Sequence, residues 1–228
     1  MNKICITLDI DWVVDEIITF VLNLLEDYNV KATFFATHQS DLLTSLNDTR
    51  YEIGIHPNFT NRLDYDKVIK ELKAIYPSAI GVRSHELFCS TSILQLFLAN
   101  GLKYDVNTYI PLREGLYPFT RLNSIVRIPY YWEDGSYLTK LGLHKEGLKI
   151  YNFHPIHIFM NTKSQEHYMN YKAFYSQPDT LQKYRNTGDG IRTSFIALLK
   201  HISDNAIQTY TCKEIYLEYC TREKTAIS

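Results

Sequence analysis

The chain has 228 residues, 45% of them apolar and 21% charged, with a formal net charge of -1. That length supports one substantial core, and the composition is ordinary for a soluble globular protein. No long basic run stands out, which argues against nucleic acid as a partner, and no stretch approaches the roughly 18 apolar residues of a membrane span.

The first segment, KICITLDIDW, opens as a buried strand and then presents two acids, Asp9 and Asp11. A strand has period two, so Thr7, Asp9 and Asp11 are expected on one face and Ile6, Leu8 and Ile10 on the other. Like charges on one face repel, and burial sharpens the repulsion. A shared proton or something positive must compensate, and a metal ion is the sharpest candidate.

The run VDEIITFVLNLLEDYNV follows, with Ile17, Phe20, Val21, Leu24, Leu25 and Tyr28 at helical spacing. KATFFAT predicts a short buried strand over 31–37, SDLLTSLND a short helix and YEIGIH another strand. Gly54 in that strand permits close backbone approach or a tight bend, and His56 ends it. DYDKVIKELKAIY predicts a helix that Pro77 stops, with Val68, Ile69, Leu72 and Ile75 inward. AIGVR is a further strand, closed by Arg83 and His85, which share a face if the chain is extended there. TSILQLFLANG is a helix ended by Gly101.

LKYDVN, SIVRIPY and LKIYNFH are later strand candidates. Between them, 105–146 is rich in Pro, Gly and Tyr and predicts long loops near a site. YYWEDG there offers Trp132, suited to packing on a sugar or an acyl methyl, and Asp134, suited to orienting a histidine. Asp105 is expected to be mainly structural. In FHPIHIF, His154 and His157 stand three apart, which is wrong for one strand face. Unless the chain bends, only His154 is expected in the site and His157 is expected to be structural. The polar stretch 160–190 reads as an insertion or a mobile lid. RTSFIALLKHISDN returns to helical spacing through Phe195, Leu198, Leu199 and Ile202, and IQTYT is a last short strand.

Alternation of strand and helix predicts an α/β domain with a mostly parallel sheet, barrel or open. In either form the site lies at the C-terminal strand ends, where Asp9, Asp11, His56, Arg83, His85 and His154 stand. Each also has an ordinary structural reading: His56 as a turn cap, Arg83 and His85 as a rim ion pair, Asp134 in a solvated turn. The 18 tyrosines fill cores first and line sugar clefts second. Cys5, Cys89, Cys212 and Cys220 form no CxxC, which predicts free thiols in a reducing compartment. With no signal-peptide h-region evident, the expected location is cytoplasmic.

From about Ile4 to Tyr210 the chain resembles the polysaccharide deacetylase family, the NodB-homology or carbohydrate esterase 4 group. TLDID resembles that family's opening TFDD motif, KATFF its second strand and EIGIH its EIGNH segment. GVRSH falls where its Arg-containing third motif stands, RIPYYWEDG resembles its fourth region, and NFH its late strand ending in a catalytic histidine. GIRTSFIALLKHISDN resembles its closing helix. The resemblance implies a single-domain distorted (β/α) barrel over 1–228 and a divalent metal, zinc being the expected one. It implies removal of an acetyl group from an N-acetylated or O-acetylated sugar or glycan precursor. By position, Asp9 is similar to the catalytic base, Asp11 and His56 to metal ligands, and His154 to the general acid. Arg83 would hold Asp9, and Asp134 would orient His154.

One departure stands out. The family carries a second metal histidine four residues after the first, and here that place is Thr60. His85 is the expected substitute, which makes the implied ligand set Asp11, His56 and His85. A DxD opening with an HP segment is similar to a divergent branch associated with surface polysaccharide biosynthesis. The rival readings are a metal-dependent hydrolase of a non-sugar amide or ester, and an inactive carbohydrate-binding protein, which Thr60 favours.

Overall fold

The computed structural model describes residues 2–121, 125–134 and 140–227. In chain order its strands are β1 (Lys3–Asp9), β2 (Ala32–Ala36), β3 (Tyr51–Ile55), β4 (Gly81–Val82), β5 (Tyr104–Tyr109), β6 (Phe119–Arg121), β7 (Ile125–Tyr130), β8 (Trp132–Glu133), β9 (Leu148–Phe153) and β10 (Thr209–Tyr210). The helices are α1 (Asp15–Asp27), α2 (Asp41–Ser45), α3 (Tyr65–Ile75), α4 (Thr91–Ala99), α5 (Pro155–Met160), α6 (Gln165–Tyr171), α7 (Pro178–Lys183), α8 (Ile191–Asp204) and α9 (Cys212–Ile227).

Strands β9, β1, β2, β3, β4, β5 and β7 pair side by side, all parallel. The row is shut by one stretch of chain. Residues 125–130 pair with β5, residues 132–133 pair with β9, and between them the Tyr131 N–H donates to Ile150 O at 2.9 Å. Because one segment binds both ends of the row, the sheet closes into a distorted barrel. β6 adds antiparallel to β7, and β10 adds to the start of β1.

Strand alternation separates two cores. Ile4, Ile6, Leu8 and Ile10 face outward and meet Ile17, Ile18 and Val21 of α1 and Phe195, Leu198 and Leu199 of α8. Cys5, Phe35, Tyr104, Val106, Val126, Ile128, Tyr130 and Ile150 fill the inside. Gly81 is required for that filling: a Cβ there would stand 2.2 Å from the Tyr104 ring. The Tyr104 hydroxyl donates to buried Glu52, which also accepts from the Thr33 hydroxyl at 3.0 Å and the Lys213 N–H at 2.7 Å.

Helix α8 buries the face that its spacing predicts, α3 buries Val68, Ile69 and Leu72 of its expected face, and α1 buries Ile17, Val21 and Leu25 with Ile18 and Leu22 beside them, leaving Phe20, Leu24 and Tyr28 half-buried. Three segments go beyond the sequence reading. α9, for which no element was expected, carries no strong apolar stripe and buries Cys212 and Ile215 with the inner core. Residues 160–190 are built largely from α6, a 3-10 turn over Lys172–Phe174 and α7. Within 105–146, SIVRIPY forms the expected strand as β7, and the loops on either side of it add β6 and β8, while Ser124 and 135–139 of the expected segments lie outside the described residues. All four cysteines are free, although Cys5 Sγ and Cys212 Sγ approach to 3.6 Å. No described helix is long and apolar enough to cross a membrane.

Candidate active site

Thr7 and Asp9 share the inner face of β1, as period two requires, and Asp9 is buried at its end. Two donors hold its carboxylate. Arg83 Nη1 donates to Oδ1 at 3.0 Å and Asn152 Nδ2 to Oδ2 at 2.9 Å. Arg83 is itself fully buried, between the rings of Phe35 and Tyr130 at 4.8 and 4.7 Å, and donates onward to Val106 O, Thr7 Oγ1 and Asn152 Oδ1. Burial pushes the Asp9 carboxyl upward, but the Arg83 charge, with His56 and His154, outweighs it and leaves the group below its ordinary value.

Asp11 does not reach the site by strand alternation. The strand ends at Asp9, and Asp11 and Trp12 adopt left-handed backbone with φ of 38° and 60°. The turn is tied by Ile10 N–H to Phe35 O at 3.2 Å and by Trp12 N–H to Thr37 Oγ1 at 3.0 Å. Left-handed backbone costs roughly 1–2 kcal/mol per non-glycine residue, and such strain collects at functional sites. Here it aims the Asp11 carboxylate between two histidines.

Asp11 Oδ1 lies 3.4 Å from His56 Nε2 and 3.3 Å from His85 Nδ1. That oxygen is buried without a well-aligned hydrogen bond, and His56 Nδ1, 3.7 Å from Asp9 Oδ1, makes none either. Donors on a tetrahedral ion with bonds of about 2.0–2.1 Å stand roughly 3.3–3.4 Å apart. Both spacings therefore fit a shared cation, and the three donors all lie within 4.8 Å of one another. Burial raises the Asp11 carboxyl, yet His56 and His85 outweigh it and hold it well below the carboxylate range.

His85 arrives on a short turn whose next residues, Glu86 and Leu87, also have positive φ of 52° and 55°. Its N–H donates to Pro57 O at 3.0 Å, which hangs the turn on the residue after His56. Thr60 is exposed, and its hydroxyl donates to Glu86 Oε2 at 3.2 Å. The residue at the place of the missing histidine thus bonds to the neighbour of its expected substitute.

Asp134 clamps His154 twice. Its Oδ1 lies 2.7 Å from the ring Nδ1, and its Oδ2 accepts the His154 backbone N–H at 2.7 Å. The other ring nitrogen, Nε2, points to the acids, 3.6 Å from Asp11 Oδ2 and 4.0 Å from Asp9 Oδ2. Burial alone would lower this imidazole, but Asp134 first, then Asp11 and Asp9, raise it well above its ordinary value.

The bend allowed for after His154 is present: Pro155 starts α5, and the helical turn swings His157 alongside His154 at a ring separation of 5.6 Å, where its Nδ1 meets Thr162 Oγ1 at 3.1 Å and its ring packs on Tyr168. Asp134, His154 and His157 form a second group with metal-ligand chemistry. There the Asp134–His154 hydrogen bond engages two of the donors, and burial lowers His157 to about 4. Trp132 meets no substrate: it is 1% exposed, packed on Phe153 at 4.8 Å in the outer core. Asp105, as expected, is structural, paired twice with Arg127 at 2.9 Å.

Sequence reasoning missed Asn152, which stands two residues before His154 and so shares its strand face. It also missed Trp12 and the helical wall of Tyr168, Lys172 and Tyr175, which together with Asp11 and His85 line a cleft.

The family described as WbmS-like polysaccharide deacetylase matches residues 6–172. Among solved structures, a Bordetella bronchiseptica protein (WbmS), assigned as a polysaccharide deacetylase involved in O-antigen biosynthesis, is 32% identical. The match covers 88% of this chain and 90% of that one, with a TM-score of 0.81. The peptidoglycan deacetylase PdaC from Bacillus subtilis shares the fold at 13% identity, covering 99% and 95% of the two chains with a TM-score of 0.55. A 4-alpha-glucanotransferase from Thermococcus litoralis shares it at 15% identity, 96% and 38% coverage and a TM-score of 0.56, so the fold alone does not name the reaction. No curated protein is similar enough to the chain to match it.

Proposed function

The chain belongs to the WbmS-like polysaccharide deacetylase family, and from that premise we propose that it hydrolyses the acetyl group of an N-acetylated or O-acetylated sugar or glycan precursor. Its clusters of histidine and aspartate are those of a metal-dependent hydrolase site. The observation that carries the proposal is the Asp11 carboxylate, set with one oxygen 3.3–3.4 Å from a ring nitrogen of both His56 and His85, beside a separate pair formed by Asp9 and His154.

In this reading Asp11, His56 and His85 hold a divalent ion. Two imidazoles and one carboxylate suit zinc. Such an ion acidifies water and polarises a carbonyl. The remaining work falls to the chain. Asp9, kept ionised by Arg83 and placed by Asn152, takes the proton of the attacking water. His154, protonated through Asp134, delivers a proton from Nε2 to the departing sugar nitrogen or oxygen. The two steps balance: one proton is taken from water by Asp9, one is given to the leaving group by His154, and the acetyl group departs as acetic acid, which releases the second water proton as it ionises to acetate. The acids of the opening segment then have separate tasks, one as ligand and one as base.

The test is acetate release by zinc-loaded protein from a panel of N-acetylated and O-acetylated sugars beside simple acetamides and acetate esters. Preference for sugars supports the proposal. Turnover of the simple amides or esters alone would move the site to the non-sugar reading, and metal binding without any turnover would favour a binding protein.

A further inference from the structure

The cleft that opens on Asp11 and His85 has a volume of about 310 Å³ and is otherwise lined by Trp12, Tyr168, Lys172 and Tyr175. Ligand clefts run from about 300 to 1,000 Å³, so this one suits a single substituted ring rather than a long chain. Its two walls come from distant parts of the sequence.

Trp12 forms one wall. Its backbone is fixed by Thr37, and its ring meets the His85 imidazole edge-on at 5.1 Å, yet it remains 44% exposed. An indole anchored at its base and open on a face is a platform for the apolar side of a sugar ring. Tyr168, Lys172 and Tyr175 come from the polar stretch that carries α6 and the turn after it. There Lys172 is exposed, with its ammonium 5.7 Å over the Tyr168 ring.

The charges around the cleft differ in how they are used. Asp9 is paired with Arg83 and Asp134 with His154, while Asp11 faces His56 and His85. Lys172 forms no salt bridge with any described residue. It is the cation in the cleft lining that no protein carboxylate answers.

We propose that Lys172 recognises an anionic group, a carboxylate or a phosphate, on the acetylated sugar that stacks against Trp12, which makes the substrate class an acidic acetylated sugar. This inference rests on the deacetylase reading above. A Lys–carboxylate or Lys–phosphate contact is a charge-assisted hydrogen bond.

The experiment is calorimetric titration of zinc-loaded wild type, Lys172→Gln and Lys172→Arg with three probes: N-acetylglucosamine, N-acetylglucosaminuronic acid and N-acetylglucosamine 1-phosphate. Wild type is expected to bind one acidic probe about tenfold more tightly than the neutral one. The Gln variant is expected to bring that ratio near one, and the Arg variant to keep most of it. Which acidic probe wins tells carboxylate from phosphate. Equal binding of all probes by wild type, no binding of any, or an acid preference that survives Lys172→Gln and so arises at the metal, would each overturn the inference. Acetate release is followed in parallel. No acetate from any probe, with a Lys172-dependent preference intact, would remove the deacetylase reading and leave the anion site standing.

Discussion

The carboxamide of Asn152 donates from Nδ2 to Asp9 Oδ2 across 2.9 Å, while its Oδ1 accepts from Arg83 and from Thr7. One neutral side chain therefore fixes a buried acid and the buried cation that compensates it. Asn152→Ala is expected to destabilise the fold by about 1–3 kcal/mol, the cost of leaving buried polar groups unpaired. Asn152→Asp is expected to be worse, because a second carboxylate then faces Asp9 in the barrel. Urea unfolding of both variants checks the order, and equal losses would reduce Asn152 to a space-filler.

Metal retention separates the two acids of the opening segment. After loading and desalting, elemental analysis should find about one ion per chain in wild type and in Asp9→Asn, and far less in Asp11→Asn and His85→Ala. An ion held as firmly by His85→Ala as by wild type would take His85 out of the ligand set and return attention to Thr60 and His157.

Asp134 raises the His154 imidazole, so Asp134→Asn should let it fall. The protonated form is the one with a proton to give, and it is lost as pH rises through the His154 value. The basic limb of the pH–rate profile is therefore expected to move to lower pH in Asp134→Asn, with turnover reduced roughly 10²–10⁴-fold. An unmoved basic limb would assign that limb to another group.

Glu52 supplies a pH test remote from the chemistry. Burial raises its carboxyl above the ordinary 4.5, although the donors from Tyr104, Lys213 and Thr33 pull the other way. The native state then holds a proton that the unfolded chain has released, so stability falls as pH climbs from the unfolded value through the native one. Glu52→Gln has no such proton. Its stability relative to wild type should increase from about pH 4 toward neutrality. A constant difference by urea unfolding across that range would contradict the raised value.

Much of the architecture was legible because it is written in local period. β1, β2 and β3, and the inward faces of α1, α3 and α8, follow from alternation and helical spacing. The polar residues Asp9, His56, Arg83 and His154 were visible because each ends an apolar run. Period also implied Asn152, two residues before His154, although a lone asparagine carries no chemical signature.

The sequence by itself determined which side chains stand at strand ends and which face of each element is apolar, since these depend on neighbours within one turn or one pleat. Tertiary structure alone decided the rest. Closure of the sheet at Tyr131 joins strands far apart in the chain, and no local pattern encodes that pairing. The left-handed backbone at Asp11 and Trp12 uses no glycine, so nothing flagged the turn that moves Asp11 off the strand and Trp12 into the cleft. Trp132 went to the core because β8 pairs with β9 and brings its ring onto Phe153, a contact between segments some twenty residues apart that outweighed what its own loop suggested.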